Sequence, residues 1–421
     1  MEQTPIFTND TITFGLLMLV LALVFYTSTK TKGFWYKFYS IIPALLMCYL
    51  LPAILNSIGL ISPEVSKVYS ISKNYLLPAA IVLMTLSLDL KSVFNLGPKA
   101  LIMFFTGTTG IVIGGPIAIL IVAMVSPETI GGTNFDAVWR GLSTVAGSWI
   151  GGGANQTAMY EIFEYNPKKY GAMILVDIVV AQIWMAFLLF GIGKKEKIDR
   201  WLKADNSAIE ALKEKVIAYQ KSVTKTPSLT DYMVMLGIAF TAVGIAHLGS
   251  AGISKFLTEN FIIFNDKTSA LASFTSSFFW MITIATIIGI ILSFTKAKTY
   301  EGAGASKIGS IFIYILVASI GMKMDLASIF ENPGLLLLGL IWMLVHVTLL
   351  VIVAKLIKAP YFFLAVGSKA NVGGAASAPV VAAAFHPSLA TVGVLLAVVG
   401  YAIGTFAALF CAHLMEIVSV G

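Results

Sequence analysis

Charge is scarce in this chain. Only 12% of its 421 residues are Asp, Glu, Lys or Arg, and 58% are hydrophobic; soluble domains carry about 25% charged residues. That excludes an ordinary soluble fold, and the apolar runs reach the ~20 residues needed to cross a ~30 Å hydrocarbon core. Cysteine is also rare. Cys48 and Cys411 each lie inside an apolar run, so no disulfide framework is expected. The chain lacks a P-loop, zinc-type His/Cys spacing and a nucleophile elbow, so ATP-driven transport, an enzyme centre and a cofactor are not expected. The first Lys is Lys30, behind the first apolar run, so a charged leader and a cleavable signal peptide are not expected either. The net charge of +7 sits between apolar runs, which points to membrane orientation and not to a nucleic-acid partner.

What remains is an all-α polytopic membrane protein. Spans are expected at about 11–27, 40–59, 74–90, 98–125 and 169–192, then at about 230–247, 269–293, 309–325, 332–357 and 388–414. Lys30, Lys32 and Lys37 mark the cytoplasmic end of the first span, and Lys194–Lys197 that of the fifth. Residues 194–229 hold nine basic and five acidic residues and form a basic cytoplasmic linker. Asn206 or Ser207 could cap a helix there, with Ile209, Leu212, Val216 and Tyr219 on one face. Ile253, Phe256, Leu257 and Phe261 suggest a second interfacial helix. Lys296, Lys298, Lys307, Lys355 and Lys358 orient the second half in the opposite sense, with both termini outside. Leu88-Asp-Leu-Lys-Ser-Val-Phe94 matches Met324-Asp-Leu-Ala-Ser-Ile-Phe330, and Pro167 and Phe190 match Pro387 and Phe410. The expected organisation is two inverted repeats, 1–193 and 230–421, each of about five transmembrane helices plus one broken or re-entrant element.

The broken elements are Gly147-Ser-Trp-Ile-Gly-Gly-Gly-Ala-Asn-Gln-Thr157 and Gly367-Ser-Lys-Ala-Asn-Val-Gly-Gly-Ala-Ala-Ser377. Glycine runs weaken a helix, and unwound backbone at membrane depth must line protein or a polar cavity. Paired interruptions in corresponding places of two repeats point to a binding site at their junction. Asp177 lies eight residues into its span, roughly 12 Å deep. A carboxylate there is costly and marks a functional position by default. With Asn155, Gln156, Thr157 and Asn371 it offers hard oxygen donors suited to Na⁺, or a proton site. Ser148, Gly152, Gly153, Ser368, Lys369, Gly373, Gly374 and Ser377 are the expected substrate contacts, with Lys369 placed to neutralise Asp177 or an anionic solute. Helix–helix hydrogen bonding is the bland alternative for the amides and hydroxyls. Asp89 and Asp325 read as helix caps, and His346 as a packed or hydrogen-bonded histidine.

The two glycine motifs together resemble the YjcL-like family of predicted bacterial integral membrane proteins, over nearly the whole chain. More distantly the chain is similar to the superfamily of cation/proton antiporters and anion transporters, including bile-acid and glutamate sodium symporters. That resemblance implies a scaffold domain and a mobile core domain, each drawn from both repeats, crossed discontinuous helices, homodimers and elevator-type alternating access. Antiporters carry an embedded Asp after the first broken helix, where Asp177 stands, but Val176 replaces their second acid. The expectation is Na⁺- or H⁺-coupled symport of a small organic solute, with anions among the candidates, across the inner membrane. Monovalent cation/proton antiport is the alternative; a channel or a non-transporting receptor is the other class.

Overall fold

The computed structural model describes residues 5–205, 209, 212, 226–261, 274–324, 332–386 and 389–419, which form helices and turns with no strand among them. Six of the helices are long and apolar enough to cross a membrane, or eight if each of two bent pairs counts as one span.

The first bundle takes elements from both halves of the chain. α1 (Asp10–Ser28) starts where the Asn9 side chain accepts from the Thr11 amide at 2.8 Å. α2 (Gly33–Ile41) and α3 (Ala44–Ser57) meet at a bend of 96°. A short α4 (Val68–Ile71) passes through a π-helical turn, Ser72–Leu76, into α5 (Leu77–Leu86). α6 (Leu90–Phe94) is capped by Asp89, as its sequence suggested. The described part of the second half adds α11 (Leu229–Asn260), α12 (Ser277–Ser293) and α13 (Ala305–Gly321). α12 and α13 pack on α5, α11 packs on α12, and α3 joins α13 to α1.

The second bundle contains α7 (Pro98–Val125), α8 (Val138–Ile162), α9 (Tyr170–Ile192), the short α10 (Lys195–Leu202), α14 (Gly334–Leu356), α15 (Tyr361–Asn371), α16 (Gly374–Phe385) and α17 (Ala390–Ser419). α17 runs along α8 and α7, and α14 along α7 and α9. Gly110 and Gly114 let α7 and α14 close. A Cβ on Gly110 would come within 3.0 Å of the His346 backbone, and one on Gly114 would enter the Trp342 ring. Such small-residue contacts are how helices gain packing in lipid, where no hydrophobic drive separates them from the tails. Contact between the bundles is narrower: α5 and α12 touch α8, α5 touches α17, and α3 touches α9.

Several expected boundaries move. The second span is not one straight helix, and the third is interrupted by the π-helical turn. Ile253, Phe256 and Leu257 do not begin a separate interfacial helix; they continue α11, which the reciprocal Ser228–Asp231 capping box starts. Apolar and polar residues alternate too loosely there for periodicity to mark a break. Asn206, Ser207, Val216 and Tyr219 of the linker, Asp325 with the rest of the second repeat match, and Pro387 lie outside the described residues. Ile209 and Leu212 are buried.

Candidate functional site at two hairpin tips

α8 is two helical arms joined at Gly152, whose φ of 73° and ψ of −170° break the helix. The arms fold back on each other. Arg140 in the first arm donates from Nη1 to the Phe163 carbonyl at 2.8 Å, and the Trp139 and Phe163 rings lie 5.3 Å apart. Nearer the tip, a Cβ on Gly147 would come within 2.6 Å of the Asn155 carbonyl oxygen, so glycine permits the closure. α15 and α16 repeat the arrangement around Gly373 (φ 115°), with Phe362 and Phe385 rings 5.3 Å apart at the open end. Both broken elements are therefore re-entrant hairpins.

They enter from opposite ends of α9. The first opens beside the Tyr170 end, where Lys169 pairs with Asp136 at 2.8 Å. The second opens beside the other end, where the Tyr361 hydroxyl donates to the Leu188 carbonyl at 2.9 Å and the Tyr361 amide donates to Asp199 at 2.8 Å. Their tips meet: a Cβ on Gly374 would lie 3.9 Å from the Gly152 Cα, and the Tyr401 ring borders both glycines. The second arms begin here, so two helix N-termini, each a positive dipole end, converge.

The structure brings Asp177 to this junction. Its Oδ2 accepts from Ser148 in the first arm and from Gln156 in the second, both at 2.8 Å. The buried Trp149 indole N–H is a further donor beside the same carboxylate. Lys369 is 2% exposed and reaches α9 one turn beyond Asp177, donating from Nζ to the Ala181 carbonyl at 3.1 Å. Among the described residues no ion pair within 4.0 Å joins Lys369 to Asp177, though each lies in the other's field. Removing two charges from water is expensive, and separating them forgoes most of the attraction that would offset it.

The other expected ligands divide. Asn155 Nδ2 donates to the Gly151 and Tyr401 carbonyls, and its Oδ1 accepts from Thr405 at 2.5 Å. Asn371 Nδ2 donates to the Gly367 and Phe104 carbonyls, and its Oδ1 accepts from Thr108 at 2.7 Å. Each amide thus ties a hairpin to a long helix. Thr157 bonds back to the Gly153 carbonyl at 2.9 Å. Ser368 accepts from Trp184 Nε1 at 2.8 Å and donates to His346 Nε2 at 2.8 Å, while His346 Nδ1 donates to the Gly107 carbonyl at 2.9 Å. That pattern defines a neutral histidine protonated on Nδ1. Ser377 Oγ is buried without a partner, and both it and the Lys369 ammonium border Gly373, the latter at 3.4 Å from the position of an added Cβ. The junction therefore holds one carboxylate, one ammonium and one unpaired hydroxyl, all on helices.

A family model described as "Protein of unknown function (DUF819)" matches residues 15–418. The chain belongs to this family. It is also 25% identical over 373 residues to the "Uncharacterized membrane protein YjcL" of Bacillus subtilis (strain 168), covering 85% of this chain and 86% of that protein. Both findings agree with a multi-pass membrane protein of the YjcL-like kind.

Sequence reasoning missed Tyr401, Trp184, Thr108 and Thr405. The threonines carry one legible signal, since Phe104 and Tyr401 each precede a threonine by four residues. An aromatic residue and a threonine at that spacing are too common in apolar spans to stand out.

Proposed function

We propose that the protein is a secondary active transporter that couples uptake of a small organic, anionic solute to Na⁺ or H⁺. One observation carries this reading: two hairpins entering from opposite ends meet at glycine tips beside a buried Asp177 that both arms of one hairpin hold. Broken helices whose N-terminal ends converge at mid-depth suit an anion, while the carboxylate and carbonyl oxygens suit a cation. In this reading Asp177 binds the coupling ion with Ser148 and Gln156 as its supports. Lys369, Ser377 and the amides of Gly153 and Gly374 meet the solute. The first bundle serves as scaffold and the second as the moving core of an elevator, in a homodimer in the inner membrane built from two inverted repeats. No enzymatic step and no cofactor enter the reading.

A ligand that binds only the folded state stabilises it by about 2.7 kcal/mol at a hundredfold excess over Kd. The test is the thermal stability of purified protein in Na⁺ against K⁺ across pH, for wild type and Asp177→Asn. We expect a sodium-specific or pH-dependent rise in the wild type that the variant loses. Neither response in the wild type would overturn the coupling role of Asp177. Solute uptake into vesicles driven by an imposed inward sodium gradient then separates symport from antiport.

A further inference from the structure

A second, partly buried cluster sits away from the hairpin tips, at the face where the first hairpin opens and the two bundles touch. Glu161 lies near the end of the second arm of α8 and is buried. Its partners come from the other bundle. The Tyr69 hydroxyl donates to Oε1, and Lys73 Nζ lies 2.6 Å from Oε2. Lys323, in the turn after α13, places its ammonium 3.8 Å from the centre of the Tyr69 ring. One carboxylate thus binds two residues a turn apart on one helix of the facing bundle.

The local backbone is adapted to this contact. Lys73 sits inside the π-helical turn Ser72–Leu76, a rare form that recurs at functional positions. Such a turn re-aims side chains and frees a carbonyl; here the Asn74 carbonyl accepts from His247 Nε2 at 2.9 Å. Phe278 of α12 flanks Lys73 at 4.9 Å. Among the described residues the bundles also approach each other through α3, α5, α6 and α12, and an ion-pair cluster helps to hold this narrow interface.

We propose that Glu161, Tyr69, Lys73 and Lys323 form a latch that fastens the first hairpin to the scaffold bundle and opens before the core bundle moves. This rests on the transport reading above. Opening separates Glu161 from Lys73 and lets water solvate both ends. Such an interaction holds one arrangement firmly, yet releases once each charge is hydrated, because a buried pair gains little over its solvated parts.

The test uses full-length protein in lipid nanodiscs, with Cys48→Ser and Cys411→Ser, and spin labels at Glu64→Cys on the first bundle and Thr133→Cys on the second. Pulsed electron–electron distances should show one narrow population. Glu161→Gln should raise a second, displaced population at least about tenfold, as loss of a buried partner implies. Lys73→Met should do the same, and the double variant should add nothing further. The charge swap Glu161→Lys with Lys73→Glu should restore the narrow distribution. Tyr69→Phe, a milder change, guards against a folding defect in the others. Unchanged distances in both Glu161→Gln and Tyr69→Phe would overturn the latch. If sodium or pH still shifted the distances in that case, the transport reading would stand without the latch. A shift in Glu161→Gln with no ion response and no uptake in any form would keep the latch and remove the transport reading.

Discussion

In the first hairpin, the two arms supply neutral donors, Ser148 and Gln156, to a carboxylate that belongs to a neighbouring helix. In the second, the arm itself carries the charge, and Lys369 directs it at a backbone carbonyl of that same helix. Both hairpins meet α9 at nearly one level, Asp177 and Ala181 being one turn apart, and both are tied to a long helix by an asparagine–threonine pair. The supports are alike and the chemistry is not. A paired architecture can thus present an acid and a base to one junction, provided each half keeps its own fastening.

The sharpest way to break that comparison is at the glycines. Gly152 holds φ 73° and ψ −170°, a region essentially restricted to glycine, where another residue costs about 1–3 kcal/mol. Gly374 holds φ 54°, a value within the range that L residues reach in the left-handed region, and an added Cβ there would meet Tyr401 and Gly152 only at 3.8 and 3.9 Å. Gly152→Ala should lower the thermal midpoint clearly more than Gly374→Ala, measured side by side in one detergent. Equal losses would mean that crowding at the tips, and not backbone strain, governs both.

A smaller effect separates fastening from function. Asn155→Ala and Asn371→Ala each leave a buried threonine hydroxyl and two carbonyls without their amide, at a cost of about 1–3 kcal/mol. The two networks share no partner, so the losses should add to within about 0.5 kcal/mol. Neither asparagine touches Asp177, so any sodium response of the wild type should survive in both variants at its original midpoint. Loss of that response in Asn155→Ala alone would place the amide in the ion site.

Much of this was open to reading from residues alone, and the division follows physical lines. Low charge and long apolar runs suffice for a helical membrane protein, because lipid admits little else with a satisfied backbone. A glycine triplet and a glycine pair reveal the breaks, since other residues adopt Gly152's backbone only at a cost. Asp177 stands out because a carboxylate in an apolar span has few uses. The fates of Asn155 and Asn371 were not legible: an amide at membrane depth suits an ion and a helix clamp equally, and Thr108 and Thr405, which decide between them, lie 263 and 250 residues away. Glu161 stayed hidden for a similar reason. It reads as a charge at the end of a span until Tyr69 and Lys73 are brought beside it.

The smallest effect concerns the open end of the first hairpin, outside the membrane-spanning segments. A hydrogen bond from Lys169 holds Asp136 below the usual carboxylate range, with Asn166 adding to the shift. Both side chains of the pair are about 40% exposed, at 42% and 39%, so solvent and salt screen the attraction and its worth is about 0–1 kcal/mol. Because the folded-state pKa is depressed, the stabilisation is present above the unfolded value of about 4 and is lost as pH falls through the lowered one. Lys169→Met should therefore be slightly less stable than wild type at neutral pH and low salt. The gap should close below about pH 4, and also in 1 M salt, where the screening length falls to about 3 Å. A gap that survives acid and salt unchanged would show that Lys169 acts there through its apolar stem, packed over the hairpin's mouth, and not through its charge.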